Sequence, residues 1–270
     1  MDDLDGALAT LDARLRGLGS VLVAFSGGAD SAFLLAAAAR ALGPERVVAA
    51  TAVSPSLAAA ELGPARAYAA GLGVRHVAPG TEELSRPGYV ANGPDRCFHC
   101  KATLVDTLRP LAAELALAHV ATGTNADDAV AGFRPGIRAA ADRGAVTPLL
   151  DAGLTKAQVR AASRRWGLAT AEKPALACLA SRIAYGVQVT PARLARVDRA
   201  ETALRAHLAH RGCPVIDLRV RDLGDGAARV ELDPAALAAC DETALDRVRA
   251  EGFVEVARGP FRSGSMNAVG

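Results

Sequence analysis

The chain has 270 residues, of which 51% are hydrophobic, so it can bury a core and is not an intrinsically disordered protein. Its 31 Lys and Arg residues against 29 Asp and Glu residues leave a net charge of +2, which argues against a dedicated nucleic-acid-binding protein. No apolar run approaches the roughly 20 residues that a membrane span needs. Five cysteines are too few for a disulfide framework. The amino terminus is acidic where a secretory signal would be basic, so we expect no export and a cytoplasmic location.

The first half of the chain alternates short apolar strands with helices. An amphipathic helix is predicted over residues 3–18, because leucines recur there at helical spacing. The following predicted elements are, in chain order, strand 21–25, helix 32–42, strand 46–53, helix 57–72, strand 74–77, helix 101–116 and strand 119–122. This alternation predicts βαβ crossovers and a parallel sheet covered on both faces.

The last helix predicted in the first half opens with a capping box formed by Thr155 and Gln158 and ends near Trp166. A different pattern begins near residue 187. Thr190-Pro191 and Asp233-Pro234 mark two further helix starts. Strands are predicted over 216–221 and 228–232, joined by a turn at 224–226, and over 253–257. We therefore predict an α/β protein with a parallel-sheet domain over residues 1–186 and a smaller α+β domain over residues 187–270.

A glycine-rich loop joins the first buried strand to a helix. Its sequence is Ser26-Gly27-Gly28-Ala29-Asp30-Ser31, which lacks the Gly-Lys-Ser/Thr of a Walker A loop. Glycines let backbone amides approach an anion closely, and the helix start adds a positive dipole end. The motif resembles the PP-loop of ATP pyrophosphatases, which implies phosphate contacts from Ser26, Gly27, Gly28, Asp30 and Ser31. An ordinary strand–helix turn is the alternative.

A second loop, Gly123-Thr124-Asn125-Ala126-Asp127-Asp128, follows the strand at 119–122. It is expected at the same carboxyl edge of the sheet, where open α/β folds bind ligands. We assign Gly123, Thr124, Asn125 and Asp127 to the nucleotide site. Asp127 and Asp128 could also hold Mg²⁺, which prefers hard oxygen ligands. A solvated Asn/Asp turn is the alternative.

The cysteines are a third feature. Cys97 and Cys100 form a C-x2-C pair, and Cys178 lies in a separate segment, whereas Cys213 and Cys240 stand beside apolar residues and suit buried positions. Three candidate ligands are one short of a closed four-cysteine site. A [4Fe–4S] cluster bound by three cysteines leaves one iron for a non-protein ligand. Zinc, redox chemistry and coincidence remain open as alternatives for the C-x2-C pair.

Lysine is rare in this arginine-rich chain. The only lysines among the 31 basic residues are Lys101, Lys156 and Lys173. This weakly favours a chemical role for a retained lysine.

Several segments together resemble the LarE family of ATP-dependent sulfur transferases. These are SGGADS at 26–31, CFHCK at 97–101, GTNADD at 123–128, Arg134-Pro-Gly136, KPALACLASR at 173–182 and FRSGSMN at 261–267. The resemblance implies that ATP adenylates a carboxylate of pyridinium-3,5-biscarboxylic acid mononucleotide, pyrophosphate leaves, and sulfur displaces AMP. Some members sacrifice the sulfur of one cysteine, which matches Cys178. The presence of Cys97 and Cys100 instead resembles the three-cysteine type, in which a [4Fe–4S] cluster carries the sulfide.

The resemblance also assigns roles to individual residues. It implies catalytic roles for Cys178, Asp30 and Lys101, a nucleotide contact for Ser54, and Mg²⁺ and ATP as cofactors. Lys173, also assigned as catalytic, and Arg182 are expected from their positions alone to steady the negative charge of the adenylate. Arg219 and Arg221 alternate along a predicted strand and so face one side, which suits a phosphate, although a solvated strand face is the alternative. The residues that it assigns to the substrate are Arg134, Ser181, Arg182, Glu201, Arg219 and Arg221.

Three other functions compete with sulfur transfer. An amidotransferase of the NAD synthetase type would not need three cysteines. A tRNA-thiolating enzyme would be expected to carry a basic patch or an RNA module. A nucleotide-sensing domain would bind ATP without releasing pyrophosphate. We expect a small mononucleotide substrate, no nucleic-acid or membrane partner, and a homo-oligomer.

Overall fold

The computed structural model describes residues 2–130, 132, 134–174 and 177–262. Its strands are β1 (Val21–Ala24), β2 (Val47–Ala50), β3 (Arg75–Val77), β4 (His119–Thr122), β5 (Leu218–Gly224), β6 (Ala227–Leu232) and β7 (Glu255–Pro260). Its helices are α1 (Asp2–Leu18), α2 (Ala29–Leu42), α3 (Leu62–Gly71), α4 (Pro87–Val90), α5 (Arg96–Glu114), α6 (Ala126–Val130), α7 (Pro135–Ala141), α8 (Pro148–Asp151), α9 (Lys156–Arg165), α10 (Pro191–His210), α11 (Pro234–Ala239) and α12 (Glu242–Arg249). None of these helices has the length and apolar character needed to cross a membrane.

The described residues divide into two compact units. The first contains residues 2–54, 60–83 and 97–174, and the second contains residues 55–59, 84–96 and 177–262. The sequence-based boundary lies after residue 186, whereas the second unit begins at residue 177 and takes two segments from the first half. Hydrogen bonds inside the second unit explain this difference. The Ser56 carbonyl accepts from the Leu179 N–H, and buried Asn92 donates to the carbonyls of Ala184 and Val187.

The first unit is built on a four-stranded parallel sheet in the order β3-β2-β1-β4. Val21 and Val23 of β1 belong to one buried apolar cluster, together with residues of α1, α2 and α9. Leu22 points to the other face and packs in a second cluster with Leu108 and Ala112 of α5. Alternate residues of one strand are therefore buried on opposite faces, as a doubly covered sheet requires. The predicted α/β class is confirmed.

Two helix starts differ from the predicted ones by five residues. α3 begins at residue 62 rather than 57, because residues 55–59 belong to the second unit, where the Ala59 N–H is 3.3 Å from Asp198 Oδ2. α5 begins at residue 96 rather than 101, so Cys97 and Cys100 lie on the first turns of a helix and not on a loop. Their separation of three residues places both thiols on the same side of α5.

The second unit contains a three-stranded sheet in the order β5-β6-β7, in which β5 and β6 are antiparallel and β6 and β7 are parallel. The β5–β6 hairpin and both predicted helix starts are present. Thr190 Oγ1 accepts the Arg193 N–H at the start of α10, and Asp233 caps α11. Asp225 and Gly226 have φ values of +48° and +80°, which suit a tight hairpin turn.

Candidate active site

Two serine hydroxyl groups hold together the two ends of the loop after β1. Ser31 Oγ donates to the Gly28 carbonyl at 3.0 Å and lies 3.2 Å from Ser26 Oγ. Gly28 is the N-cap of α2, and Gly27 has a φ of +74°, which glycine adopts without strain. The loop therefore leads into the positive end of a 14-residue helix, an arrangement that can bind an anion.

The second predicted loop lies directly against the first. β4 pairs with β1 so that Thr122 is opposite Ala24, and both loops leave the same edge of the sheet. A Cβ atom built on Gly123 would lie 2.9 Å from the Ser31 backbone nitrogen and 3.0 Å from Ser31 Cα. Real Cβ atoms do not approach backbone so closely, so glycine at position 123 is what allows the two loops to touch.

Gly123→Ala should therefore disturb both loops. We expect a loss of stability of about 1–3 kcal/mol, because the added methyl group meets backbone that cannot move away without shifting α2. Binding of ATP, which is predicted for these loops, should weaken by roughly tenfold or more. Thermal denaturation and titration calorimetry measure the two effects. Gly63→Ala is the matched control, because a Cβ atom there meets nothing within 4 Å. An unchanged affinity in the Gly123 variant would contradict the assigned loop contact.

Asp30 lies in a partly buried group of charged side chains at the start of α2. Burial is the largest cause that raises the pKa of Asp30 above its ordinary value; Lys156 opposes the shift and Asp128 adds to it. The buried side-chain nitrogen of Asn125 has no hydrogen bond of ordinary geometry among the described residues, yet the side chain is close enough to Asp30 to lower the pKa of that carboxyl group. Carboxylates suit Mg²⁺, and an amide N–H suits a phosphate oxygen, so the donor set fits a metal–nucleotide complex.

The two aspartates of the second loop have different contacts. Asp127 Oδ2 accepts the backbone N–H of Lys156 at 2.8 Å, which anchors the first residue of α9. Asp128 Oδ1 lies 3.0 Å from Lys156 Nζ, and its Oδ2 faces the Asn125 N–H. Asp127 thus positions α9, and Asp128 is the carboxylate that shares the charged group around Asp30.

Lys173 lies beside the first loop, as its assignment as a catalytic residue requires. A Cβ atom built on Gly27 would be 3.8 Å from Lys173 Nζ, and Nζ forms an ion pair with Glu61 at 3.1 Å. Arg160 of α9 donates to the carbonyl of Lys173 at 3.0 Å and to that of Ala171. α9 therefore holds the backbone of the segment that carries this lysine.

Two other residues assigned to the nucleotide have neighbours of their own. Ser54 Oγ donates to the buried carboxylate of Glu83 at 2.5 Å. Thr124 Oγ1 lies 3.2 Å from Thr122 Oγ1, and the Thr124 carbonyl accepts the Leu150 N–H. These contacts fix the strand ends around the loops, while the nucleotide contacts of both residues stay predictions.

The C-x2-C pair is accessible. Cys97 is exposed, Cys100 is half-buried, and neither forms a disulfide. A Cβ atom built on Gly136 would lie 3.1 Å from the Cys97 carbonyl oxygen and 3.6 Å from Lys101 Cβ, so the start of α7 packs tightly against this part of α5. Arg134, the N-cap of α7, is exposed. Within the described residues, no three His, Cys, Asp or Glu side chains are gathered into a metal-binding group.

Arg219 and Arg221 are buried in the second unit, so the solvated-face alternative is wrong. Arg221 donates to Glu231 through Nε and Nη2 and to the Ser181 carbonyl through Nη1. Burial, reinforced by the nearby Arg182 cation, lowers the pKa of Arg219 to about 10. This buried positive charge would gain from an incoming dianion.

Ser181, Arg182 and Glu201, all assigned to the substrate, contact one another beside Cys178. Arg182 forms an ion pair with Glu201 at 2.9 Å, and Ser181 Oγ donates to the Cys178 carbonyl at 2.7 Å. Cys178 itself is an exposed free thiol at the start of a short 3₁₀ turn.

Sequence reasoning missed three residues around the first loop, namely Glu61, Lys156 and Arg160. The scarcity of lysine already pointed weakly to Lys156. Glu61 and Arg160 carried no local signal, because their partners lie 112 and 13 residues away in sequence. The parts of the predicted motifs at 175–176 and 263–267 lie outside the described residues.

The chain is similar to two proteins over most of its length. It is 34% identical over 264 residues to the pyridinium-3,5-bisthiocarboxylic acid mononucleotide synthase of Lactiplantibacillus plantarum, covering 96% of this chain and 93% of that protein. The chain belongs to the LarE family. An uncharacterized protein of Synechocystis sp. is 42% identical over 231 residues, covering 86% of this chain and 83% of that protein. No protein-family model matches the chain.

Proposed function

We propose that this protein is an ATP-dependent sulfur transferase that acts on pyridinium-3,5-biscarboxylic acid mononucleotide in the biosynthesis of the nickel-pincer nucleotide. The substrate assignment rests on the name of the Lactiplantibacillus plantarum relative, whose product carries two thiocarboxylates. In the proposed reaction a substrate carboxylate attacks the α-phosphate of ATP and pyrophosphate leaves. Sulfur then displaces AMP from the acyl adenylate.

The packing of Gly123 against Ser31 is the observation that carries the nucleotide half of the proposal. It brings two loops, a helix start and the Asp30 carboxylate to one edge of the sheet, and Lys173 lies beside Gly27. The backbone amides and Lys173 suit the negative charge of departing pyrophosphate, while Asp30 and Asp128 suit Mg²⁺.

Arg219 and Arg221 support the part of the proposal that concerns substrate binding. A phosphate monoester with two negative charges would offset the burial of the Arg219 guanidinium, and arginine can bind it through two parallel hydrogen bonds. Arg221 already donates to Glu231 and to the Ser181 carbonyl through all three nitrogens, so it would reach the phosphate only through a second N–H of Nη1 or Nη2. The depressed pKa of Arg219, which is caused mainly by burial, supports this assignment, because a desolvated cation is stabilised by an incoming anion.

Cys97, Cys100 and Cys178 are proposed to hold a [4Fe–4S] cluster. The first two thiols share one side of α5, and none of the three cysteines forms a disulfide. Thiolate donors suit this cluster. When bound, the cluster would supply the sulfide that is transferred. A homo-oligomer and a cytoplasmic location stay predictions.

Anaerobically purified protein tests the proposal with ATP, Mg²⁺ and the mononucleotide. We expect AMP, pyrophosphate and a thiocarboxylate product, together with iron and acid-labile sulfide in the protein. Cys97→Ser and Cys100→Ser should lose the iron, whereas Cys213→Ser is the matched control and should keep it. Release of ADP and phosphate would contradict the nucleotide assignment. A loss of about 34 Da at Cys178 after turnover, which is the mass of H₂S, would show that the transferred sulfur comes from this cysteine and not from a cluster.

A further inference from the structure

One guanidinium group holds both peptide groups that flank Cys178. Arg182 Nη1 donates to the Ala177 carbonyl at 2.6 Å and lies 3.2 Å from the Cys178 carbonyl. The Cys178 carbonyl also accepts from the Ser181 N–H at 3.0 Å and from Ser181 Oγ at 2.7 Å. The backbone on either side of this residue is therefore fixed, while its thiol is exposed.

Glu201 of α10 fixes the other edge of the same guanidinium. Arg182 donates through Nε to Oε1 at 2.9 Å and through Nη2 to Oε2 at 3.1 Å. The two side chains are only 6% and 13% exposed, so water competes little for these bonds. Oε1 also accepts the backbone N–H of Val220 at 3.0 Å, and this residue stands between Arg219 and Arg221 on β5. The carboxylate is thus tied to the strand that carries both arginines.

The guanidinium of Arg182 is therefore directed at protein acceptors from all three of its nitrogens. This arrangement differs from the role expected from sequence, in which Arg182 steadies the negative charge of the adenylate. Arginine suits the observed task because its planar fork reaches several acceptors at fixed angles, which the single ammonium of lysine cannot do.

We propose that Arg182 and Glu201 are positioning residues that hold the Cys178 sulfur in place for sulfur transfer. The proposal rests on the sulfur-transferase function proposed above. It places the two residues behind the sulfur, acting through the peptide groups of Cys178, and assigns them no contact with ATP or with the mononucleotide.

Arg182→Lys separates positioning from simple charge, because it keeps the cation and removes the fork. In the full-length protein we expect amide hydrogen exchange over residues 177–183 to become roughly 10- to 100-fold faster. Glu201→Gln keeps an acceptor for Val220 and should give a smaller increase. Arg199→Lys is the matched control, because Arg199 lies on the same helix and pairs with Glu251 at 2.6 Å, and no described contact joins either residue to the Cys178 loop. It should leave exchange over 177–183 unchanged.

Turnover gives the second readout. Arg182→Lys should lower kcat for thiocarboxylate formation at least tenfold and leave KM for ATP and for the mononucleotide within about twofold of wild type. A general loss of folding would instead change thermal stability and both constants together. Normal kcat with unchanged exchange in Arg182→Lys would overturn the proposal. Wild-type protein that fails to transfer sulfur would contradict the proposed function, and the exchange comparison would still decide whether Arg182 fixes the Cys178 loop.

Discussion

Asp30→Asn should abolish ATP-dependent pyrophosphate release and at the same time raise the stability of the protein at neutral pH. The carboxylate is proposed to hold Mg²⁺ on the nucleotide, so its loss should lower the rate roughly 100-fold or more. In the protein without nucleotide the same carboxylate is partly buried, and this burial raises its pKa. The ionised form of Asp30 therefore destabilises the protein without nucleotide until a cation binds beside it.

The pH dependence of this effect has a defined sign. A carboxyl group whose pKa is higher in the folded protein than in the unfolded chain binds more protons in the native state. The free energy of unfolding then falls as pH rises from the ordinary value of 3.8 through the folded pKa. The extra stability of the Asn variant should thus be full above the folded pKa and vanish below about pH 3.8.

Urea denaturation across pH and a pyrophosphate assay measure the two effects. Asp12→Asn is the control, because Asp12 is exposed and pairs with Arg16 on the surface of α1. Such pairs contribute about 0–1 kcal/mol, so neither property should change appreciably. If Asp30→Asn still released pyrophosphate at the wild-type rate, the assignment of Asp30 to the nucleotide site would be contradicted.

Arg219→Met and Arg221→Met should both weaken substrate binding but affect stability in opposite ways. Each removes charge-assisted contacts to the phosphate worth roughly 1.5–3 kcal/mol, so KM for the mononucleotide should rise about tenfold or more. Arg221→Met also takes two donors from the buried carboxylate of Glu231, which should cost about 3–5 kcal/mol of stability. Arg219→Met removes a buried cation with a lowered pKa, so stability should be kept or increased.

Steady-state kinetics with each variant, together with thermal denaturation, test this difference. ATP affinity should stay near the wild-type value in both variants, since the nucleotide is assigned to the first unit. Arg205→Met is the control, because Arg205 is exposed and donates only to the Val215 carbonyl among the described contacts. A wild-type KM in both test variants would place the phosphate elsewhere, and equal stability losses would contradict the different environments of the two arginines.

The sequence was sufficient for features that depend on neighbouring residues. The parallel sheet, the capping box at Thr155 and the β5–β6 hairpin follow from hydrophobic period, cap residues and turn residues that act within a few positions. The first loop was also predictable, because a buried strand, two glycines and a helix occur in immediate succession. These signals are local, so no long-range contact was needed to recognise them.

Tertiary structure decided what depends on residues far apart in the chain. Residues 57–59 are Leu-Ala-Ala, which suits a helix, yet contacts within the second unit, such as the one from Ala59 to Asp198, hold them outside α3. Arg182 and Glu201 are assigned to the substrate from the sequence, and only the structure shows that they pair with each other and that Arg182 bonds the backbone beside Cys178. Motifs list which charged groups are present. Only the fold determines which of those groups are desolvated together, and hence which ones pair with each other and which remain to bind a ligand.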